Sequence, residues 1–142
     1  MPYNSRETID KILSAIRRGD AEGYASFFAE DADLEHPLAP EPLRGRAPIR
    51  DGEQALFNAF SDIDIDIRSL TTEQERVVVE VVLRATNTGA IDLGQGELVP
   101  ATGRQIEVSA AWIFEFGTDG LVASERDYFD TTSLMAQLGI GE

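Results

Sequence analysis

The chain has 142 residues, 42% of them hydrophobic and 27% charged, and 26 acidic against 12 basic side chains leave a net charge of −14. It contains no cysteine, which excludes disulfides, thiolate metal sites and cysteine nucleophiles. Such a surface repels phosphate backbones and anionic lipid, which argues against nucleic acid and membrane partners, although solubility alone would also explain it. The N-terminal "MPYNSRETID" carries no apolar signal-peptide core, and no apolar run reaches membrane-spanning length. The expectation is a cytoplasmic protein whose residues 1–142 form a single domain.

Taken in chain order, Asn4 and Glu7 have the spacing of a capping box. Ile9, Ile12, Leu13 and Ile16 then fall at i, i+3, i+4 and i+7, and Gly19 supplies a stop, which predicts an amphipathic helix. Asp20 caps a shorter helix with Tyr24, Phe27 and Phe28 on one side. "EDADLEHPLAPEPL", dense in carboxylates and broken by Pro37, Pro40 and Pro42, reads as a brief strand entering a loop. Pro48 suits the first turn of a third helix carrying Ile49, Leu56, Phe57 and Phe60.

The period then changes to two. "DIDIDIR" sets Ile63, Ile65 and Ile67 against Asp62, Asp64 and Asp66. "RVVVEVVLRATNT" predicts a long strand ending at Gly89, followed by a loop through Gly94 and Gly96 that lacks a P-loop lysine or dinucleotide pattern and is read as a turn. From Arg104 to Phe116, Ile106, Val108, Ala110, Trp112, Phe114 and Phe116 share a face. "GTDG" turns the chain into "LVASERDYFD", and "TTSLMAQLG" predicts a terminal helix capped by Thr131 or Thr132. Helices first and long strands after describe an α+β fold. Its form would be a strongly curved, cone-shaped, mixed or antiparallel sheet (a cystatin-like roll) covered by three N-terminal helices, with a short C-terminal helix. A hollow between the layers would suit a small apolar ligand.

The stretch "LVASERDYFD" raises a chemical question. Period two puts Leu121, Ala123, Glu125, Asp127 and Phe129 on one face, so two carboxyls point where the hydrophobes point. An acid there loses solvation, which favours its protonated form, and a neighbouring acid opposes double ionisation. Asp127 is therefore the first candidate for acid/base work, with Glu125 in support; the alternative is that strand curvature brings both to water. His36, the only histidine, has the titration range of a general acid or base, or else sits half exposed in an acidic loop. Arg84 calls for an acid partner, either Glu80 in a structural ion pair or a catalytic carboxylate. Trp112, Tyr24, Phe28, Phe57 and Phe129 are core candidates of which some could line a substrate pocket. Asp31, Asp33 and Glu35 begin like a calcium loop but lack its glycine and meet Pro42 where the final glutamate belongs, so no metal site is expected.

The order of elements resembles the nuclear transport factor 2-like superfamily, which includes ketosteroid isomerase, limonene epoxide hydrolase and the SnoaL-like polyketide cyclases. "FFAEDADLEHPLAPEPLRGRAPIRD" is similar to the isomerase's helix, short strand and loop; "VVLRATNTGAIDLG", "PATGRQIEVSAAWIFEF" and "LMAQLG" are similar to the SnoaL-like pattern; "RDYFD" is similar to the last strand of the epoxide hydrolases. The resemblance implies a cofactor-free enzyme acting by acid/base chemistry on an apolar oxygenated substrate, cyclase or isomerase in type, with limonene-type epoxide hydrolysis or a non-catalytic binding module as alternatives. It places His36 at the isomerase's proton-abstracting position, while the isomerase's oxyanion-holding pair falls near Ile12 and Trp112. It sets Asp127 and Arg84 at two members of the hydrolase's Asp-Arg-Asp set, with Thr86 at the third. Apolar residues at both parities from Val77 to Leu83 further imply a homodimer packed sheet to sheet.

Overall fold

A computed structural model describes residues 4–92 and 97–140. The predicted loop at Gly94 and Gly96 lies outside the described residues. Helix α1 (Ser5–Arg18) begins where Asn4 accepts from the Glu7 N–H at 3.1 Å, and ends at Gly19, whose φ of 67° a β-carbon would strain. Helix α2 (Ala21–Ala25) starts at Asp20, which accepts from the Gly23 N–H at 2.8 Å. Strand β1 (Phe28–Glu35) follows, then β2 (Leu43–Arg44) and α3 (Arg46–Ala59). The long strands are β3 (Phe60–Glu73), β4 (Arg76–Asn87) and β7 (Gln105–Phe116), with a small ribbon of β5 (Ile91–Asp92) and β6 (Leu98–Val99) between the last two. Strand β8 (Val122–Phe129) leads into α4 (Thr131–Leu138).

The main sheet runs β2-β1-β8-β7-β4-β3, with β1 and β8 parallel and every other pair antiparallel. Two register breaks in β3, one beside Asp62 at φ 53° and one at Arg68, add residues to this edge strand. Such bulges increase the local twist and bend the sheet around its helices. The expected curved α+β architecture is the one observed. Phe60 opens β3 instead of ending α3, and Asp130, not a threonine, caps α4 by accepting from the Ser133 N–H at 3.2 Å.

Two apolar clusters hold the layers together. One joins Ile9, Ile12, Leu13 and Ile16 of α1 to Phe28, Val77, Val79, Phe114 and Val122; the other joins Ala59, Phe60, Ala85, Ile91 and Ile106 to Leu134 and Leu138 of α4. Helix α3 lacks a side-chain cap and is tied to β1 instead. The Gly45 N–H donates to the Ala32 carbonyl at 2.7 Å, and the Arg46 guanidinium donates twice to the Phe28 carbonyl at 2.9 and 2.7 Å. Asn87 is fully buried and clips the end of β4, donating to the Ala59 and Gly89 carbonyls and accepting from the Thr102 N–H and hydroxyl. Among the described residues no helix is long and apolar enough to cross a membrane.

Candidate functional site

The two clusters do not meet everywhere. Between them lies a cavity that leaves about 110 Å³ in which the centre of a water-sized group can sit. Its floor is the inner face of the sheet, where alternation brings Ile63 of β3, Leu83 and Ala85 of β4, Ile106, Val108, Ala110 and Trp112 of β7, and Glu125, Asp127 and Phe129 of β8 to one side. Ile16, Tyr24, Glu53, Leu56, Phe57 and Leu134 close it from the helices, and His36 and Leu38 from the loop after β1.

Glu125 and Asp127 face this cavity, but not by simple period two along β8. The pairing of β7 with β8 slips between Glu115 and Phe116, which leaves Ala123 as an extra residue. Val122 is therefore fully buried and Ala123 exposed, the reverse of the sequence expectation; the bulge reverses the parity and restores it in time for Glu125. Glu125 is buried and accepts the Tyr24 hydroxyl at 2.5 Å, and it shares a hydrogen bond with Asp127. Asp127 stands opposite Trp112 in the register, and among the described residues no group donates to its buried Oδ1.

A third carboxyl belongs to the same group. Glu53 of α3 faces Glu125, and burial together with that charge lifts its pKa to about 8. The sequence reading passed over it, although a signal exists. Glu53 follows Ile49 by four residues and precedes Phe57 by four, so it sits in the apolar stripe of the helix. Desolvation, then the charge of Glu125, push Asp127 far above the usual carboxylate range. Glu125 is also raised by burial, but hydrogen bonds from Asp127 and Tyr24 work against that. Of the pair, Asp127 holds the proton and Glu125 receives it. Tyr24 is pushed well above an ordinary phenol by burial and by the surrounding carboxyls, so it stays a donor.

His36 also lines the cavity, with its ring edge-on to Phe129 at 5.5 Å between centroids. Burial lowers its pKa to about 4. The Leu38 N–H donates to Nδ1 at 3.1 Å, which leaves the ring hydrogen on Nε2. The expected titration at physiological pH is thus corrected: desolvation keeps His36 neutral, and it offers an N–H donor in place of a charge.

The structure also places the remaining candidates. Tyr24, Phe57, Trp112 and Phe129 line the cavity, whereas Phe28 is sealed in the core against Tyr24, 5.0 Å between ring centroids. Arg84 is not in the cavity. It lies on the outer face of the sheet, donating to Asp66 at 2.8 Å and Glu107 at 2.9 Å, with Asp64 at 3.7 Å. Its expected partner Glu80 instead accepts the Ser69 hydroxyl at 2.5 Å. The cause is parity: Leu83 and Ala85 point inward, so Arg84 and Thr86 cannot.

Comparison with known proteins supplies the lineage. The model of the SnoaL-like domain family matches residues 9–125, a span that stops just short of Asp127. Among solved structures, TsrD from Streptomyces laurentii superposes with a TM-score of 0.77 at 24% identity, covering 94% of this chain and 93% of that one. A protein described as a SnoaL-like polyketide cyclase, from Jannaschia sp. CCS1, gives 0.77 at 18% identity over 94% and 92%. An LEH-like epoxide hydrolase of M. tuberculosis gives 0.69 at 16% identity over 94% and 88%. Such identities speak for the fold, which hosts more than one chemistry. The chain belongs to the SnoaL-like domain family and carries its nuclear transport factor 2-like fold.

Proposed function

We propose that the chain is a small-molecule enzyme of the cyclase or isomerase type, which moves a proton within an apolar oxygenated substrate without a cofactor. One observation carries this reading: Asp127, its pKa pushed far above the usual carboxylate range by burial and by the charge of Glu125, lies on the wall of a mostly apolar cavity. A neutral carboxyl there donates its proton to a carbonyl or ether oxygen as negative charge develops on that oxygen. The resulting Asp127 carboxylate then removes a proton from carbon, which closes the cycle with no net gain or loss. Tyr24 holds Glu125 in place throughout, and the His36 Nε2–H offers a second donor to a substrate oxygen. The limonene-type alternative loses ground, because it needs an arginine between two acids and the described cavity wall has neither arginine nor lysine. A binding module without turnover remains the second reading, favoured by the incomplete isomerase and hydrolase residue sets.

The experiment starts with a thermal-shift panel of polyketide-like esters and ketones, terpene epoxides and steroids, followed by turnover assays on whatever stabilises the fold. Asp127→Asn is nearly isosteric, so folding should survive while turnover falls at least a hundredfold. Infrared difference spectra at pH 7 should show a protonated-carboxyl band that the variant loses. Undiminished turnover in the variant would end the assignment of Asp127.

A further inference from the structure

The acidic end of the cavity contains four titratable groups and no counter-charge. Tyr24 of α2, Glu53 of α3, and Glu125 and Asp127 of β8 influence one another there. Everything that faces them from α1, β3, β4, β7 and α4 is uncharged: Ile16, Ile63, Leu83 and Ala85, the β7 row ending at Trp112, and Leu134. His36 lines the same cavity but is held neutral by burial. A mostly apolar hollow with three carboxyls is an unusual use of acidic residues, because each costs several kcal/mol to desolvate if ionised and unpaired. The buried Oδ1 of Asp127, which receives no hydrogen bond from the described residues, is an acceptor still open to a donor.

We propose that this end of the cavity binds an organic ammonium group, so that the ligand is an apolar molecule carrying a cationic amine at one end. The chemistry fits on three counts. A cation among Glu53, Glu125 and Asp127 favours their charged forms, and the proton displaced to solvent leaves the charge of the site unchanged. Tyr24, Phe57 and Trp112 line the same hollow, and aromatic faces attract alkylammonium groups. The cavity leaves about 110 Å³ for the centre of a water-sized group, which gives room for an organic cation. The apolar remainder of the wall, with Ile106, Val108 and Leu134, receives the apolar body. This inference goes beyond the acid–base reading and requires no turnover.

Trp112 is the only tryptophan in the chain and stands in the cavity, so its fluorescence reports occupancy directly. Benzyltrimethylammonium serves as the probe, since it cannot titrate or react, and benzyl methyl ether serves as its neutral counterpart. The ammonium should bind at least tenfold more tightly at pH 8.5 than at pH 6, and at least tenfold more tightly than the ether at pH 8.5. Calorimetry in buffers of different ionisation enthalpy should show about one proton released per probe bound at pH 7. Glu53→Gln and Asp127→Asn, each checked for folding by circular dichroism, should each weaken the ammonium at least tenfold at pH 8.5. Equal binding of ammonium and ether at pH 8.5, or ammonium binding with no proton release, would overturn the proposal.

Discussion

Glu53→Gln is the sharpest test of how the cavity is charged. Glutamine imitates the neutral acid in shape and polarity but cannot titrate, so the difference between variant and wild type isolates one proton. In the folded protein the pKa of Glu53 is pushed up to about 8, against 4.5 for a glutamate in water. A group whose folded pKa is raised contributes stability that is full below the unfolded value and is lost as pH rises through the folded one. From pH 5 to pH 8 the unfolded chain gives up this proton while the folded chain keeps it. At about 1.4 kcal/mol per pH unit the wild type should lose at most about 4 kcal/mol over that interval. The cavity mouth admits water, so about 2 kcal/mol is the working figure. Urea unfolding at pH 5, 6.5 and 8, followed by Trp112 fluorescence, measures it. The two proteins should be nearly equal at pH 5, and the variant should lead by about 2 kcal/mol at pH 8. Stability curves that stay parallel across this range would refute the buried, protonated Glu53.

Other predictions follow from the same structure. His36 should titrate near pH 4 by NMR; because its folded pKa is depressed, the wild type should lose about 1–2 kcal/mol as pH falls from 6.5 to 4, and His36→Gln should not, whereas a titration near 6.5 would put the ring in water. Arg84→Ala removes only exposed ion pairs, so it should cost under about 1 kcal/mol and leave cavity binding unchanged; a loss of binding would return Arg84 to the site. Asn87→Ala strips four hydrogen bonds from a buried clip and should cost about 2–4 kcal/mol in urea unfolding, with a smaller loss showing that the clip is dispensable. The outer face of β4, β7 and β8 groups Val78, Val82 and Ile113 with Tyr128, 54% exposed, which supports the proposed homodimer; sedimentation at micromolar concentration showing only a 15.5 kDa species would contradict it.

Much of the fold could be read from periodicity because the helices and long strands of this chain are amphipathic over many residues. Ile9 to Ile16 and the row from Ile106 to Phe116 place their elements without help from any contact. The α4 cap was mislaid by one residue, since Asp130 competes with two threonines that cap nearly as well. Asp127 was legible because an acid interrupted an apolar face. Glu53 carries the same signal at a period of 3.6, as an acid in the apolar stripe between Ile49 and Phe57. The bond from Tyr24 to Glu125 had no such signal, because it joins groups 101 residues apart that meet only when α2 is laid across β8.

Parity decides the chemistry of this cavity more than composition does. Along β4, Arg84 lies between two residues that face the hollow, and one step of register separates a catalytic guanidinium from a surface ion pair. Along β8, the extra residue at Ala123 determines that Glu125 and Asp127 turn inward; without it, Ser124 and Arg126 would occupy their places. Arg126 now pairs outside with Glu115 at 3.0 Å. Had the slip been absent, β8 would present a fixed positive charge to the cavity, and Glu53 would be the carboxyl left to give a proton. The same scaffold can therefore be made acidic or basic by one bulge, which gives a physical reason why a shared fold leaves the reaction open. In this chain the bulge turns the carboxyls inward, and burial raises the pKa of each.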